Sequence, residues 1–175
     1  MKFELVFDKD IYNRQMDILF DLAWKRKIAY YKNSQYLGLI LIVIGSAMIY
    51  NRPNIFGFGY VLVFFGLSNL LPFIYYYFKI KSNYKKFDVV KTKEIEINND
   101  LQNFSLELTD KSLLIKAHQH LKDIEWKEFT TYLIKEDNII LVTKDYQPLI
   151  LGESEVGEEN FKKIISFIET KIEIE

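Results

Sequence analysis

Two long stretches of this chain carry no charged residue, and only a few residues separate them. Asn33 to Tyr50 holds no charge, Pro53 to Phe78 holds none, and between residues 34 and 78 the single charge is Arg52. A surface helix of a soluble domain keeps a polar face toward water, so a small domain has little room for two uncharged helices. At about 1.5 Å per residue the runs reach roughly 27 and 39 Å as helices. About 20 apolar residues cross a hydrocarbon core of about 30 Å. The reading is an α+β membrane protein with transmembrane helices at 34–50 and 55–78. The intervening Tyr50-Asn-Arg-Pro-Asn-Ile supplies Asn and Pro, which favour turns. A connection this short returns the chain antiparallel, as a helical hairpin.

Charge orients the hairpin. Lys25, Arg26, Lys27 and Lys32 precede the first run, and Lys79, Lys81, Lys85, Lys86 and Lys91 follow the second. Basic residues at membrane ends stay on the cytoplasmic side. Both termini are therefore expected in the cytoplasm and Arg52 outside. Trp24, Tyr30, Tyr31 and Tyr36 stand at the entry and Tyr75, Tyr76 and Tyr77 at the exit, where amphipathic rings prefer the headgroup level. More than thirty residues rich in charge precede the first run, which does not fit the short basic start of a secretory signal. The basic cluster Lys25, Arg26, Lys27, Lys79, Lys81, Lys85 and Lys86 would meet anionic headgroups, at about 1 kcal/mol per residue.

Within the runs, Gly38 and Gly45 are seven residues apart, as are Gly59 and Gly66. Seven residues is almost two helical turns, so each pair marks one face. Small residues let membrane helices approach closely, which makes this face the expected packing seam. Asn69 is the strongly polar side chain of the second run. It is expected to hydrogen-bond the other helix or a second copy, so a homo-oligomer is one arrangement it allows. No ionisable side chain falls within either run, which argues against a proton or ion pathway.

The flanking segments differ from the runs. Lys2-Phe-Glu-Leu-Val-Phe alternates as a strand does. Asp8 or Asp10 can cap a following helix, whose Ile11, Ile18, Leu19, Leu22 and Ala23 recur at helical spacing. No Gly or Pro interrupts this helix before the membrane. The chain thus divides into an N-terminal strand and amphipathic helix (1–33), the hairpin (34–78), a basic juxtamembrane linker (79–91) and an acidic cytoplasmic β-rich domain (92–175). Residues 92 to 175 hold ten Lys against eighteen Asp or Glu, a net charge of −8. Glu94 to Ile97, Phe104 to Leu108, Ser112 to Lys116, Ile124 to Phe129, Thr131 to Ile134, Ile139 to Val142 and Pro148 to Leu151 read as strands. Lys135-Glu-Asp-Asn reads as a hairpin turn. Phe161, Ile164, Ile165, Ile168 and Ile172 stripe a closing helix that opens with acidic residues, as the macrodipole favours.

This order, with Ile124-Glu-Trp-Lys-Glu-Phe and Ile139-Ile-Leu-Val-Thr-Lys-Asp in the meander, resembles the YcxB-like family of small bacterial membrane proteins. The similarity covers nearly the whole chain, and its motifs are packing patterns, not chemical signatures. It implies a pleckstrin-homology-like C-terminal domain and the bacterial cytoplasmic membrane. The family commonly places a Pro-Lys pair where this chain has Thr143-Lys144. It brings no established catalytic residues to carry over.

Chemical motifs are sparse. There is no cysteine, so disulfides, thiolate metal sites and cysteine nucleophiles are excluded. His118 and His120 are two imidazoles without a third ligand of their kind, and a metal site needs more. Asp123, Glu125 and Glu128 lie near Trp126, but strand alternation leaves such carboxylates solvated, and Trp126 reads as a core anchor. Five of the seven glycines fall between residues 38 and 66, which leaves no phosphate-binding loop and no cofactor motif. An enzyme is not expected. The acidic domain opposes nucleic acid and anionic lipid, whose binding depends on clustered Lys and Arg. Two functional classes fit. One is a non-catalytic, membrane-anchored interaction or regulatory protein whose cytoplasmic domain binds an unknown protein partner. The other is an immunity-type protein that protects its producer against a membrane-active toxin.

Overall fold

The fold is taken from a computed structural model that describes residues 1–51, 57–99, 103–117 and 120–172. Elements run in the order β1 (Lys2–Val6), α1 (Lys9–Asn51), α2 (Phe58–Asn99), β2 (Asn103–Leu108), β3 (Ser112–Ala117), β4 (His120–Glu125), β5 (Phe129–Lys135), β6 (Asn138–Thr143), β7 (Pro148–Gly152), α3 (Glu153–Val156) and α4 (Glu158–Glu169). The chain divides into two units. One is Met1–Leu19 with Val90–Glu175, and the other is Phe20–Val89.

The first unit holds two antiparallel sheets, ordered β1-β2-β3-β4 and β5-β6-β7. The N-terminal strand completes the first sheet: Lys2 pairs with Glu107 and Leu5 with Phe104. Between the sheets the chain turns through a single 3-10 turn, Trp126–Glu128. The hairpin turn of β5 and β6 comes at Glu136 and Asp137, with φ of 51° and 57°, the double left-handed conformation that matches the twist of the flanking strands. Asn138 steadies it by donating its side-chain amide to the Glu136 carbonyl at 2.6 Å. Asp8 is the observed cap of α1. Its Oδ1 accepts from the backbone N–H of Asp10 at 2.8 Å and of Ile11 at 2.9 Å, which satisfies two of the orphan donors at a helix start.

The core draws on both sheets and α4. Leu5, Leu106, Leu113, Ile124, Ile139 and Leu141 pack with Phe161, Ile164 and Ile168 in one buried cluster. Ile139, Ile140, Ile164 and Ile168 are the large side chains that are completely enclosed. The α4 stripe does what its helical spacing requires: Phe161, Ile164, Ile168 and, beyond the helix end, Ile172 are buried. Trp126 anchors this core, packed against Phe129 and Phe167 with ring centroids 5.6 and 5.8 Å apart. Its indole N–H donates to the Thr109 carbonyl at 2.9 Å, so the polar tip of a buried ring is satisfied.

Three sequence expectations are revised. Glu94 to Ile97 is helical, not a strand, and lies inside α2. Its alternation misleads because only one isoleucine is buried: Ile95 is 7% exposed and Ile97 65%. The repeat that matters is Lys91 to Ile95, four residues apart and both buried, which is a helix face. The segment 79–91, read as a linker, is helical for the same reason and continues α2. Ile124 to Phe129 is not one strand either, since β4 ends at Glu125. The backbone N–H of Trp126 turns to the Lys111 carbonyl at 3.1 Å, and Phe129 begins the next sheet. The expected turn around Arg52 and the position of His118 lie outside the described residues.

Candidate functional site

The second unit, Phe20–Val89, is where the sequence placed its candidate residues, and they assemble along a seam between α1 and α2. A Cβ on Gly38 would stand 2.8 Å from the carbonyl oxygen of Gly66, and one on Gly45 would stand 2.7 Å from that of Gly59. The contacts are mutual, with Cβ positions on Gly66 and Gly59 meeting the oxygens of Gly38 and Gly45 at 2.8 and 2.9 Å. Real Cβ atoms do not fit at such distances, so the two backbones touch only because all four residues lack one. The gaps are filled from the opposite helix. Ile42 covers Gly66, Ile49 covers Gly59, Val63 covers Gly45 and Leu70 covers Gly38.

Ser34 extends the seam and was not singled out by the sequence. It is buried, and its hydroxyl donates across the interface to the backbone carbonyl of Asn69. Its spacing of four residues before Gly38, on the same helix face, is the signal that could have found it. Asn69 therefore contributes through its backbone. Its side-chain amide donates to the Phe65 carbonyl of its own helix at 2.9 Å, and not to the other helix. Beyond Ser34 aromatic side chains take over the seam: Tyr31 meets Phe73 at 5.6 Å, Tyr30 meets Tyr76 at 5.9 Å and Phe20 meets Tyr84 at 5.0 Å between ring centroids.

The outer faces are apolar. Val43 and Phe64 are each 67% exposed, Leu71 64% and Ile40 55%. Lys25, Arg26, Lys27, Lys79, Lys81, Lys85 and Lys86 are all exposed. The antiparallel aromatic contacts put residues 25–27 level with the start of the 79–86 stretch, so the cluster forms one basic collar around the hairpin. Aromatic rings support it: Lys27 lies 4.6 Å from the Trp24 ring and Lys79 5.1 Å from the Tyr75 ring, geometry in which a cation is attracted to the ring face. The Lys79 ammonium also donates to the Tyr75 hydroxyl at 2.9 Å.

Asp123, Glu125 and Glu128 are exposed, and Glu125 is engaged by Lys127 at 2.6 Å. Among the described residues no group of three His, Cys, Asp or Glu converges as metal ligands would. Two helices are long and apolar enough to cross a membrane. A small antiparallel sheet unit with C-terminal helices accompanies them. Compared with family models, with curated proteins and with solved structures, the chain matches none.

Proposed function

We propose that this chain is a bacterial cytoplasmic-membrane protein of the YcxB-like kind, whose α1–α2 hairpin crosses the bilayer at 34–50 and 55–78 with both termini in the cytoplasm. The observation that carries the reading is the inverted build of the hairpin. Its inner seam is glycine and serine, while its outer surface is Val, Ile, Leu and Phe at half to two-thirds exposure. Water would penalise that surface, and lipid would accept it. The collar of seven basic residues with tyrosines at one end fits the cytoplasmic headgroup level. The pairing of β1 with β2 adds an independent constraint. A sheet built from both ends of the chain requires both ends on one side of any barrier.

The first unit then serves as a cytoplasmic module that binds a protein partner without catalysis. Four strands, three strands and a closing helix support a pleckstrin-homology-like reading. The net charge of −8 over residues 92 to 175 disfavours a phosphate-bearing partner. Cysteine labelling tests the topology on a cysteine-free background. In intact cells a membrane-impermeant maleimide should label Asn54→Cys and spare the exposed Asp145→Cys until the membrane is opened, and the reverse pattern would overturn the orientation. Photo-crosslinking from Lys127 in native membranes should give a discrete protein adduct. Lipid and self-adducts alone would overturn the partner.

A further inference from the structure

The first unit contains a cavity of about 290 Å³ where the start of α1 meets β7. Its wall is apolar over most of its extent, from Phe7, Met16, Phe104, Leu149 and Ile150. The polar groups at its margin are Asp8, Tyr12, Gln15 and Glu155, and among the described residues no basic side chain lines it. A smaller space of about 90 Å³ shares Phe104, Leu149, Ile150 and Glu155 with it and leads toward the core.

The hydrogen bonds at the margin leave acceptors over. Glu155 Oε2 is used twice, accepting from the Gly152 backbone N–H at 2.7 Å and from Gln15 Nε2 at 2.5 Å. Gln15 Nε2 also donates to Asn138 Oδ1 at 3.3 Å. Glu155 Oε1 and Gln15 Oε1 have no partner among the described residues. Gln15 is only 4% exposed, and a carbonyl so enclosed normally finds a donor. Among the described residues no side-chain nitrogen or oxygen that is wholly sealed from solvent lacks a partner, so the free Gln15 oxygen opens on the cavity that its side chain lines. Burial, aided by the neighbouring Asp8 charge, pushes the Glu155 carboxyl above the usual glutamate range despite the two hydrogen bonds it accepts. A carboxylate with that environment is stabilised by an incoming positive charge.

We propose that this cavity binds a small organic cation, a protonated amine on an apolar body, with its ammonium between Glu155 Oε1 and Gln15 Oε1. An ammonium offers three donors and no acceptor, which suits a margin with two open acceptors and two carboxylates. The apolar wall takes the remainder of the molecule. The volume lies at the small end of the roughly 300–1,000 Å³ typical of ligand pockets, so the body is about the size of a single aromatic ring with a short chain.

The test uses the full chain in detergent, with phenethylamine as the probe and 2-phenylethanol as its neutral counterpart. Calorimetric titration near neutral pH should show the amine binding about tenfold more tightly than the alcohol, the share of a charge-assisted hydrogen bond. Glu155→Gln should remove that preference while leaving the alcohol unaffected. Leu149→Trp, which fills the cavity, should abolish both. Equal affinity for amine and alcohol, absence of binding at millimolar amine, or an unchanged preference in Glu155→Gln would each overturn the proposal. The amine-against-alcohol comparison needs no variant, so it decides the matter even if a substitution prevents folding.

Discussion

The carbonyl oxygen of Gly66 lies 2.8 Å from the point that a Cβ on Gly38 would occupy, and the carbonyl of Gly38 stands in the same relation to Gly66. Neither helix can move aside for a side chain without opening the whole seam. Gly45→Leu and Gly66→Leu should each destabilise the hairpin by about 1–3 kcal/mol, the usual cost of overpacking a close-packed site. Val43→Leu, on the exposed face, should leave it unchanged. Thermal unfolding in detergent, followed by loss of helical circular dichroism, compares the three. Equal tolerance would mean that the seam repacks freely.

Ser34 donates a side-chain hydrogen bond across the seam to the Asn69 carbonyl. Ser34→Ala should cost about 0.6 kcal/mol, typical of such bonds between membrane helices. The Asn69→Leu variant should be nearly neutral, because the Asn69 side chain bonds only its own helix. If Asn69→Leu were the more damaging of the two in the same assay, the assignment of the polar contact to Ser34 would fail.

In the first unit, Trp126→Phe keeps most of the ring but removes the donor to Thr109. An unsatisfied buried acceptor costs about 1–3 kcal/mol. The melting temperature of the sheet unit should fall accordingly. Trp24→Phe, in the other unit, should leave that transition in place. A melting temperature unchanged by Trp126→Phe would show that water replaces the indole.

Glu155 makes stability depend on pH in an uncommon direction. Its folded carboxyl is held above the usual range, chiefly by burial. Its contribution is therefore fully present below the ordinary glutamate range and is lost as pH rises through the raised folded value. Glu155→Gln, which keeps an acceptor and cannot ionise, should match the wild type in acid and surpass it as pH approaches neutrality. The quantity to follow is the difference in melting temperature between the two proteins from pH 4 to 8. A difference that stays constant, or runs the other way, would show that the carboxylate is already stabilised.

The hairpin was legible because its signals are repetitive. An uncharged run fixes a long helix, and four glycines at matching intervals fix which faces meet. The α4 stripe was legible for the same reason, since Phe161, Ile164 and Ile168 obey one period. Glu94 to Ile97 failed because four residues satisfy a period of two and a period of nearly four equally well. Only the burial of Ile95 and exposure of Ile97 separate them. Trp126 was recognisable as an anchor, but the turn it sits on was not. That turn depends on Lys111 and Thr109, remote in sequence, accepting its two N–H groups. The cavity beside Glu155 left no trace in the sequence, because it forms where Gln15, Phe104 and Leu149 converge from three separate segments.

The pairing of Lys2 with Glu107 joins the first strand made to one made after both long helices. On the ribosome β1 emerges well before its partner exists. It waits with an open edge while both long helices are made, and an open edge is a template for wrong pairing. Its brevity and its charges, Lys2 and Glu4 on one face, keep it soluble meanwhile. Closure of the first sheet is thus a late event that reports on everything before it. A chain whose second helix fails to return cannot bring β2 to β1.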